Sequence, residues 1–192
     1  MVYRSGLLIY LGFTFLLIGI VLVLFFRDPE RTVGEGVVSP ADGRIMRMEA
    51  KRGGWWFVSI FMNIHDVHVN RSPWNGKVID MVHHPGGFVP AFDKGSDRNE
   101  RVVIRLRTVN GTWEITQIAG AVARRIVPYV SPGQELKKGQ RIGLIRFGSR
   151  VDMLFRMPTG MRMAVEPGQK VFAGRTGIAV AYRNVPGKGG RK

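Results

Sequence analysis

The chain has 192 residues, enough for one domain and an appendage, and its 29 Lys and Arg outweigh 14 Asp and Glu to a formal charge of +15. It contains no cysteine, which excludes disulfides, thiolate metal sites and a cysteine nucleophile. The four histidines, His65, His68, His83 and His84, lie close together in the sequence.

The first element is the uncharged run Gly6–Phe26. At about 1.5 Å rise per residue it spans roughly 30 Å, the thickness of a bilayer's hydrocarbon core. A signal peptide would have a shorter apolar region and a small-residue cleavage site. This run ends instead in Phe25-Phe26-Arg27-Asp28-Pro29. Residues 1–26 are therefore predicted to be a retained membrane anchor. Only Arg4 precedes the run, while Arg27 and Arg31 follow it, which puts the body on the cytoplasmic side of the cell membrane. The body holds all the acids and all but one of the cations. Its positive surplus suits an anionic lipid surface. The cations are scattered and no nucleic-acid-binding motif accompanies them, so nucleic acid is not expected as a partner.

Beyond the anchor, short β-branched or aromatic runs are bounded by Gly, Pro and Asn: Gly43–Met48, Trp55–Met62, Lys77–Val82, Arg101–Thr108, Thr112–Ile118, Ile142–Phe147, Val151–Phe155 and Ile178–Tyr182. Their spacing, about ten residues, predicts a mainly β body, a barrel or sandwich, over residues 27–184. One-turn helices are expected near Ile64–His68 or Ala119–Ile126. The stretch from His83 to Arg101 reads as a long loop with Gly hinges. The tail 185–192, basic and Gly-rich, is expected to be disordered.

Two internal echoes predict duplicated β-units. Ser39-Pro-Ala-Asp-Gly-Arg-Ile-Met-Arg-Met48 matches Ser72-Pro-Trp-Asn-Gly-Lys-Val-Ile-Asp-Met81, and Val130-Ser-Pro-Gly-Gln-Glu-Leu-Lys-Lys-Gly139 matches Val165-Glu-Pro-Gly-Gln-Lys-Val-Phe-Ala-Gly174. The second pair resembles the Pro-Gly-Gln corner of lipoyl and biotinyl carrier folds. Lys137 and Lys138 lack the flanks of a modified carrier lysine, so a carrier function is rejected. A non-enzymatic lipoyl-like adaptor module at a membrane stays as the alternative function.

Taken one at a time, the residues that could carry chemistry have ordinary readings as well. Asp42 sits in an Asp-Gly turn before a strand. His65 and His68 could share a face of a helical turn, but a metal site needs three or four ligands and no metal signature completes this pair. His68 could instead shuttle a proton, with Asp42 or Asp66 orienting it. Gly148-Ser149 could be a tight turn or a bond the protein cuts in itself.

The ordered set Phe25-Phe-Arg-Asp-Pro-Glu-Arg31, Val38-Ser-Pro-Ala-Asp-Gly43, Asp66-Val-His-Val-Asn-Arg-Ser-Pro73, Pro85-Gly-Gly-Phe88, Asp93-Lys94 with Asn99-Glu-Arg101, and Phe147-Gly-Ser-Arg-Val-Asp152 resembles the short-form phosphatidylserine decarboxylase family. An archaetidylserine decarboxylase-like variant fits equally. The resemblance implies a proenzyme that cuts itself between Gly148 and Ser149. The larger chain, 1–148, would keep the anchor. The smaller, 149–192, would start with a covalent pyruvoyl group made from Ser149, with neither metal nor pyridoxal phosphate. That group would form a Schiff base with the serine amine of phosphatidylserine and accept the electrons left by CO₂, giving phosphatidylethanolamine. The implied catalytic set is Ser149, His68, Asp42 and Asp66. Arg71, His83 and Lys94 are candidates for the substrate's phosphate or carboxylate. Longer relatives carry a second histidine where this chain has Arg71. The expected partners are an anionic phospholipid in the membrane, the chain's own second fragment, and further copies of the heterodimer.

Overall fold

The computed structural model describes residues 2–87, 89–90, 93, 98–120, 125–146 and 149–182, with side chains from residue 8 onward. Helix α1 (Val2–Phe25) is the one long helix among them. Its stretch Leu8–Phe25 has mean hydropathy 2.8, long and apolar enough to cross a membrane. It is apolar all round, with Leu8, Phe13, Phe15 and Val23 exposed, so it is not a surface helix with one buried stripe. Pro29, which cannot continue a helix, lies just beyond its end.

The body is mainly β, as expected. Fourteen strands follow among the described residues: β1 (Val37–Val38), β2 (Gly43–Lys51), β3 (Trp55–Met62), β4 (Val69–Arg71), β5 (Gly76–His84), β6 (Arg101–Thr108), β7 (Gly111–Ala119), β8 (Ile126–Pro128), β9 (Glu135–Leu136), β10 (Arg141–Ile145), β11 (Ser149–Arg156), β12 (Met161–Met163), β13 (Lys170–Val171) and β14 (Gly177–Ala181). Eight of them form one curled sheet in the order β13-β2-β3-β11-β7-β6-β5-β9, a half-barrel. Two three-stranded sheets, β1-β14-β12 and β4-β10-β8, complete the body. The inward faces bury Ile60, Ile104, Trp113, Ile115, Met153 and Phe155 completely. Each such side chain stabilises the fold by roughly 1.5–3 kcal/mol.

The large sheet is palindromic, and the two echoes in the sequence explain why. Hairpins β2–β3 and β5–β6 occupy equivalent places, each edged by a two-residue strand from a Pro-Gly-Gln corner. The equivalence holds bond by bond. Ile45 N–H donates to the Gln169 carbonyl at 3.0 Å, and Val78 N–H to the Gln134 carbonyl at 2.9 Å. Gly174 N–H donates to the Ser39 carbonyl at 2.8 Å, and Gly139 N–H to the Ser72 carbonyl at 2.8 Å. The glycine opening each hairpin is required. A Cβ on Gly43, whose φ is +147°, would collide with the Phe61 carbonyl, and one on Gly76 with the Arg107 carbonyl at 2.5 Å. The short edge strands also leave little unpaired backbone at either end of the sheet.

Several local expectations change. Asn63–Asp66 is a turn closed by Asp66 N–H to the Asn63 carbonyl at 2.9 Å, not a helix. It leads into an extended segment because Val69 pairs with Leu144. His83 and His84 belong to β5 rather than to a loop, since the pairing with β6 runs to Arg101. Strand β10 ends at Ile145. Lys94, Gly148 and the tail 185–192 lie outside the described residues, as do residues 121–124 of the second expected helical turn.

Candidate active site

Ser149 opens β11, the central strand, and pairs with Met62 on one side and Ala119 on the other. Side chains alternate along a strand, so Ser149 shares the inward face with the buried Val151, Met153 and Phe155. Arg150 and Asp152 point the other way and form an ion pair at 3.0 Å, while Ser59 Oγ donates to Asp152 at 2.6 Å. Ser149 is completely buried. Its Oγ–H donates to the Met62 thioether at 3.4 Å, a weak acceptor.

His68 is also completely buried. Its Nδ1 lies 2.8 Å from the backbone carbonyl of Asp66. A carbonyl only accepts, so Nδ1 carries the proton and, in the neutral ring, Nε2 holds a bare lone pair. Nε2 is buried without a hydrogen-bond partner among the described residues. Burial pushes the imidazole below its usual pKa of 6.5, although the Asp66 carbonyl and the Asp66 and Asp42 carboxylates favour the cation. At neutral pH this is an unprotonated base of fixed tautomer. The Phe25 ring, the last residue of the helix, packs on it at 4.3 Å between centroids. The His68 carbonyl accepts from Ile145 N–H at 3.3 Å, at the end of β10, the strand that precedes β11 in the sequence.

The sequence-derived orienting acids are placed otherwise. The Asp42 carboxylate is clamped by Arg31, 2.8 Å on one oxygen, and accepts the Ala173 N–H at 2.8 Å on the other. Its counterpart in the second unit, Asn75, accepts the Lys138 N–H at 2.7 Å in the same way. Asp42 thus braces its corner as Asn75 braces the equivalent one, and adds a charge. Asp66 pairs with Lys170 and caps its turn by accepting Asn63 N–H at 2.8 Å. The group that sets the His68 tautomer is the Asp66 carbonyl rather than either carboxylate.

Of the substrate-binding candidates, Arg71 and His83 are engaged by other groups, and Lys94 lies outside the described residues. Arg71 is buried and donates to Asp28 at 2.9 Å and to the carbonyls of Gly139 at 3.1 Å and Pro29 at 3.2 Å. With Arg141, which also binds Asp28 and Glu30, it fastens the segment after the helix to the body. His83 is exposed beside Glu100 at 3.4 Å. His65 is exposed too, so it does not share a face with His68. Among the described residues no three carboxylates or imidazoles gather as a metal site.

Two side chains linked to Ser149 through Met62 escaped the sequence reading. Asn70 and Gln117 are fully buried, and Gln117 Nε2 donates to Asn70 Oδ1 at 2.7 Å. The available signal was phase: Gln117 falls on the same side of β7 as Trp113 and Ile115, where an apolar residue belongs.

The sequence pattern of the family described as phosphatidylserine decarboxylase matches residues 18–179. A phosphatidylserine decarboxylase proenzyme of Streptomyces coelicolor is 54% identical over 158 residues, covering 82% of this chain and 72% of the relative. A protein of Archaeoglobus fulgidus, provisionally named archaetidylserine decarboxylase proenzyme, is 49% identical over 152 residues, 79% of this chain and 74% of its own. A similarly named protein of Methanococcoides burtonii is 44% identical over 173 residues, 88% and 80% of the two chains. With a match running from the helix to the last strand, the chain belongs to the phosphatidylserine decarboxylase family of enzymes.

Proposed function

We propose that this chain is a membrane-tethered proenzyme that cuts itself between Gly148 and Ser149 and then decarboxylates the serine headgroup of a phospholipid, converting phosphatidylserine to phosphatidylethanolamine and CO₂. The observation that carries the reading is that Ser149 and His68 are both completely buried and that His68 Nε2 has no hydrogen-bond partner among the described residues. A buried polar atom left unsatisfied is costly, and a task as general base accounts for it.

Self-cleavage uses the chain's own atoms. His68 Nε2 takes the proton as Ser149 Oγ attacks the Gly148 carbonyl carbon. The new C–O bond replaces the C–N bond, and the proton passes to the departing Ser149 nitrogen. Removal of the Ser149 α-proton then eliminates the 1–148 chain as a carboxylate. Water converts the remaining dehydroalanine to a pyruvoyl end and ammonia. The Asp42 and Asp66 carboxylates, which favour a protonated His68, support the imidazolium that forms when it accepts the proton.

The surroundings of Ser149 suit the small group that it would become. Ser149 is completely buried against the Met62 thioether, which also meets the Asn70 amide. That pyruvoyl group would supply a carbonyl that takes up an amine and accepts an electron pair. In turnover His68 holds the proton that replaces CO₂ on the substrate carbon. The helix Val2–Phe25, whose residues from Leu8 to Leu24 are almost all exposed, would anchor the chain in the cell membrane, with the body on the cytoplasmic face. The two fragments would stay together as a heterodimer, because Ser149 is hydrogen-bonded on both sides to strands of the larger one. The chemistry touches only the headgroup, so an ether-linked archaetidylserine is an equally competent substrate. Purified protein in liposomes containing either serine lipid should release CO₂. Release from neither, by a chain that has been cut, would refute the decarboxylase reading.

A further inference from the structure

Gln117 holds a core-facing place on a central strand, between Trp113 and Ile115 and the site end of β7. Its Nε2 is spent on Asn70 Oδ1, and its Oε1 is buried with no partner among the described residues. Asn70 Nδ2, a strong donor, has among the described residues only the Met62 thioether at 3.6 Å. Native interiors rarely tolerate such poor satisfaction without a reason. The fold also makes room for it: a Cβ on Gly143 would come within 2.7 Å of Gln117 Nε2 and 3.0 Å of its Oε1. Gly143 pairs with Asn70 across β4–β10, so the glycine and the amide pair form one arrangement.

Asn70 Nδ2 and Ser149 Oγ share the same weak acceptor, Met62 Sδ, at 3.6 and 3.4 Å. A side-chain amide donor is thus parked beside the nucleophile with its stronger acceptor missing. We infer that Asn70 is the oxyanion donor of the self-cleavage reaction, and that Gln117 is the positioning residue that fixes its amide. This rests on the cleavage reading above. As Ser149 Oγ bonds to the carbonyl carbon of the bond being cut, negative charge moves to that carbonyl's oxygen. Asn70 Nδ2 exchanges the thioether for that oxygen. Held by Gln117 in a buried site, it is preorganised for the transition state and weakly used in the ground state, which is the condition for lowering a barrier. No proton moves to or from Asn70, and the charge collapses back when the C–N bond breaks.

The test is the rate at which newly made chain is cut, followed by denaturing electrophoresis, together with the thermal midpoint of each variant in an uncleavable Ser149→Ala background. The double variant Asn70→Leu/Gln117→Met replaces both amides by apolar groups of similar shape, an exchange that leaves stability nearly unchanged. It should melt near the Ser149→Ala chain and be cut about 10²–10³-fold more slowly than wild type. Asn70→Ser, which is shorter and introduces no overpacking, should show the same slowing if the double variant folds poorly. Gln117→Met alone should slow cutting less than either. Hydroxylamine, which traps an ester, should speed cutting of wild type but not of the Asn70 variants, because their block precedes the ester. Cutting of Asn70→Ser or the double variant at the wild-type rate, or rapid hydroxylamine cleavage of either, would overturn the assignment. A wild-type chain that is never cut would instead remove the cleavage reading itself.

Discussion

Replacing His68 by glutamine removes the bare nitrogen while keeping a side chain of comparable length. Among the described residues the imidazole makes one hydrogen bond, to the Asp66 carbonyl, and one ring contact, with Phe25. Losing both costs about 2–3 kcal/mol, a fraction of the usual 5–15 kcal/mol of a domain, so the variant should still fold. A positioned general base contributes about 10²–10⁴-fold in rate, and cutting at Ser149 should slow by that factor. The wild-type rate carries a second signature. Burial holds His68 below 6.5, so the base stays unprotonated at a pH where an exposed histidine is half charged. The cutting rate should therefore remain flat through pH 6.5 and decline only at lower pH. The assay is a time course of fragment appearance across pH, for wild type and His68→Gln. Normal cutting by His68→Gln, or a wild-type inflection at or above 6.5, would refute the role.

Other consequences follow from the same contacts. Because the unfolded chain protonates His68 at about 6.5 and the folded one only at lower pH, folding stability should fall as pH drops below 6.5. This one group contributes up to about 1.4 kcal/mol per pH unit until the folded imidazole itself titrates, and denaturant titrations should show that share of the slope vanish in His68→Gln. Phe25→Ala uncovers the imidazole: it should cost about 3 kcal/mol and move the pH inflection of cutting up toward 6.5, whereas an unmoved inflection would mean that Phe25 does not keep His68 dry. Asp42→Asn retains the acceptor for Ala173 N–H, as Asn75 does in the other unit. It should lose about 2 kcal/mol of stability and slow cutting by less than about tenfold; a loss of 10²-fold or more would mark Asp42 as a direct partner of the base.

The sequence was most legible where a residue's type dictates its backbone. Trp55–Met62 and Arg101–Thr108 are strands with the expected bounds, because β-branched and aromatic runs between turn residues have few other options. The duplication was readable for the same reason: Gly43 and Gly76 each face a carbonyl that only glycine can approach. What the sequence hid are contacts between distant segments. Nothing in Arg31 or Asp42 announces that they pair, and nothing in Phe25 announces that the end of an apolar helix covers the candidate base. The tautomer of His68 is set by a backbone carbonyl two residues away, which depends on how the chain turns at Asn63–Asp66 and not on which acids are nearby. Arg71, a plausible anion binder from its motif, is consumed by Asp28 and two carbonyls. Gln117 was visible as a polar residue in an apolar phase, but its partner Asn70 lies on a different sheet.

The central claim is that Ser149 is a precursor rather than a finished side chain. Intact mass of the chain purified from membranes, beside Ser149→Ala, tests it most directly. The account predicts that wild type yields two fragments meeting at Gly148 and Ser149, the smaller one blocked at its N-terminus and lighter by one ammonia than its encoded sequence, while Ser149→Ala stays whole. A single full-length wild-type chain with an unmodified Ser149 would contradict it.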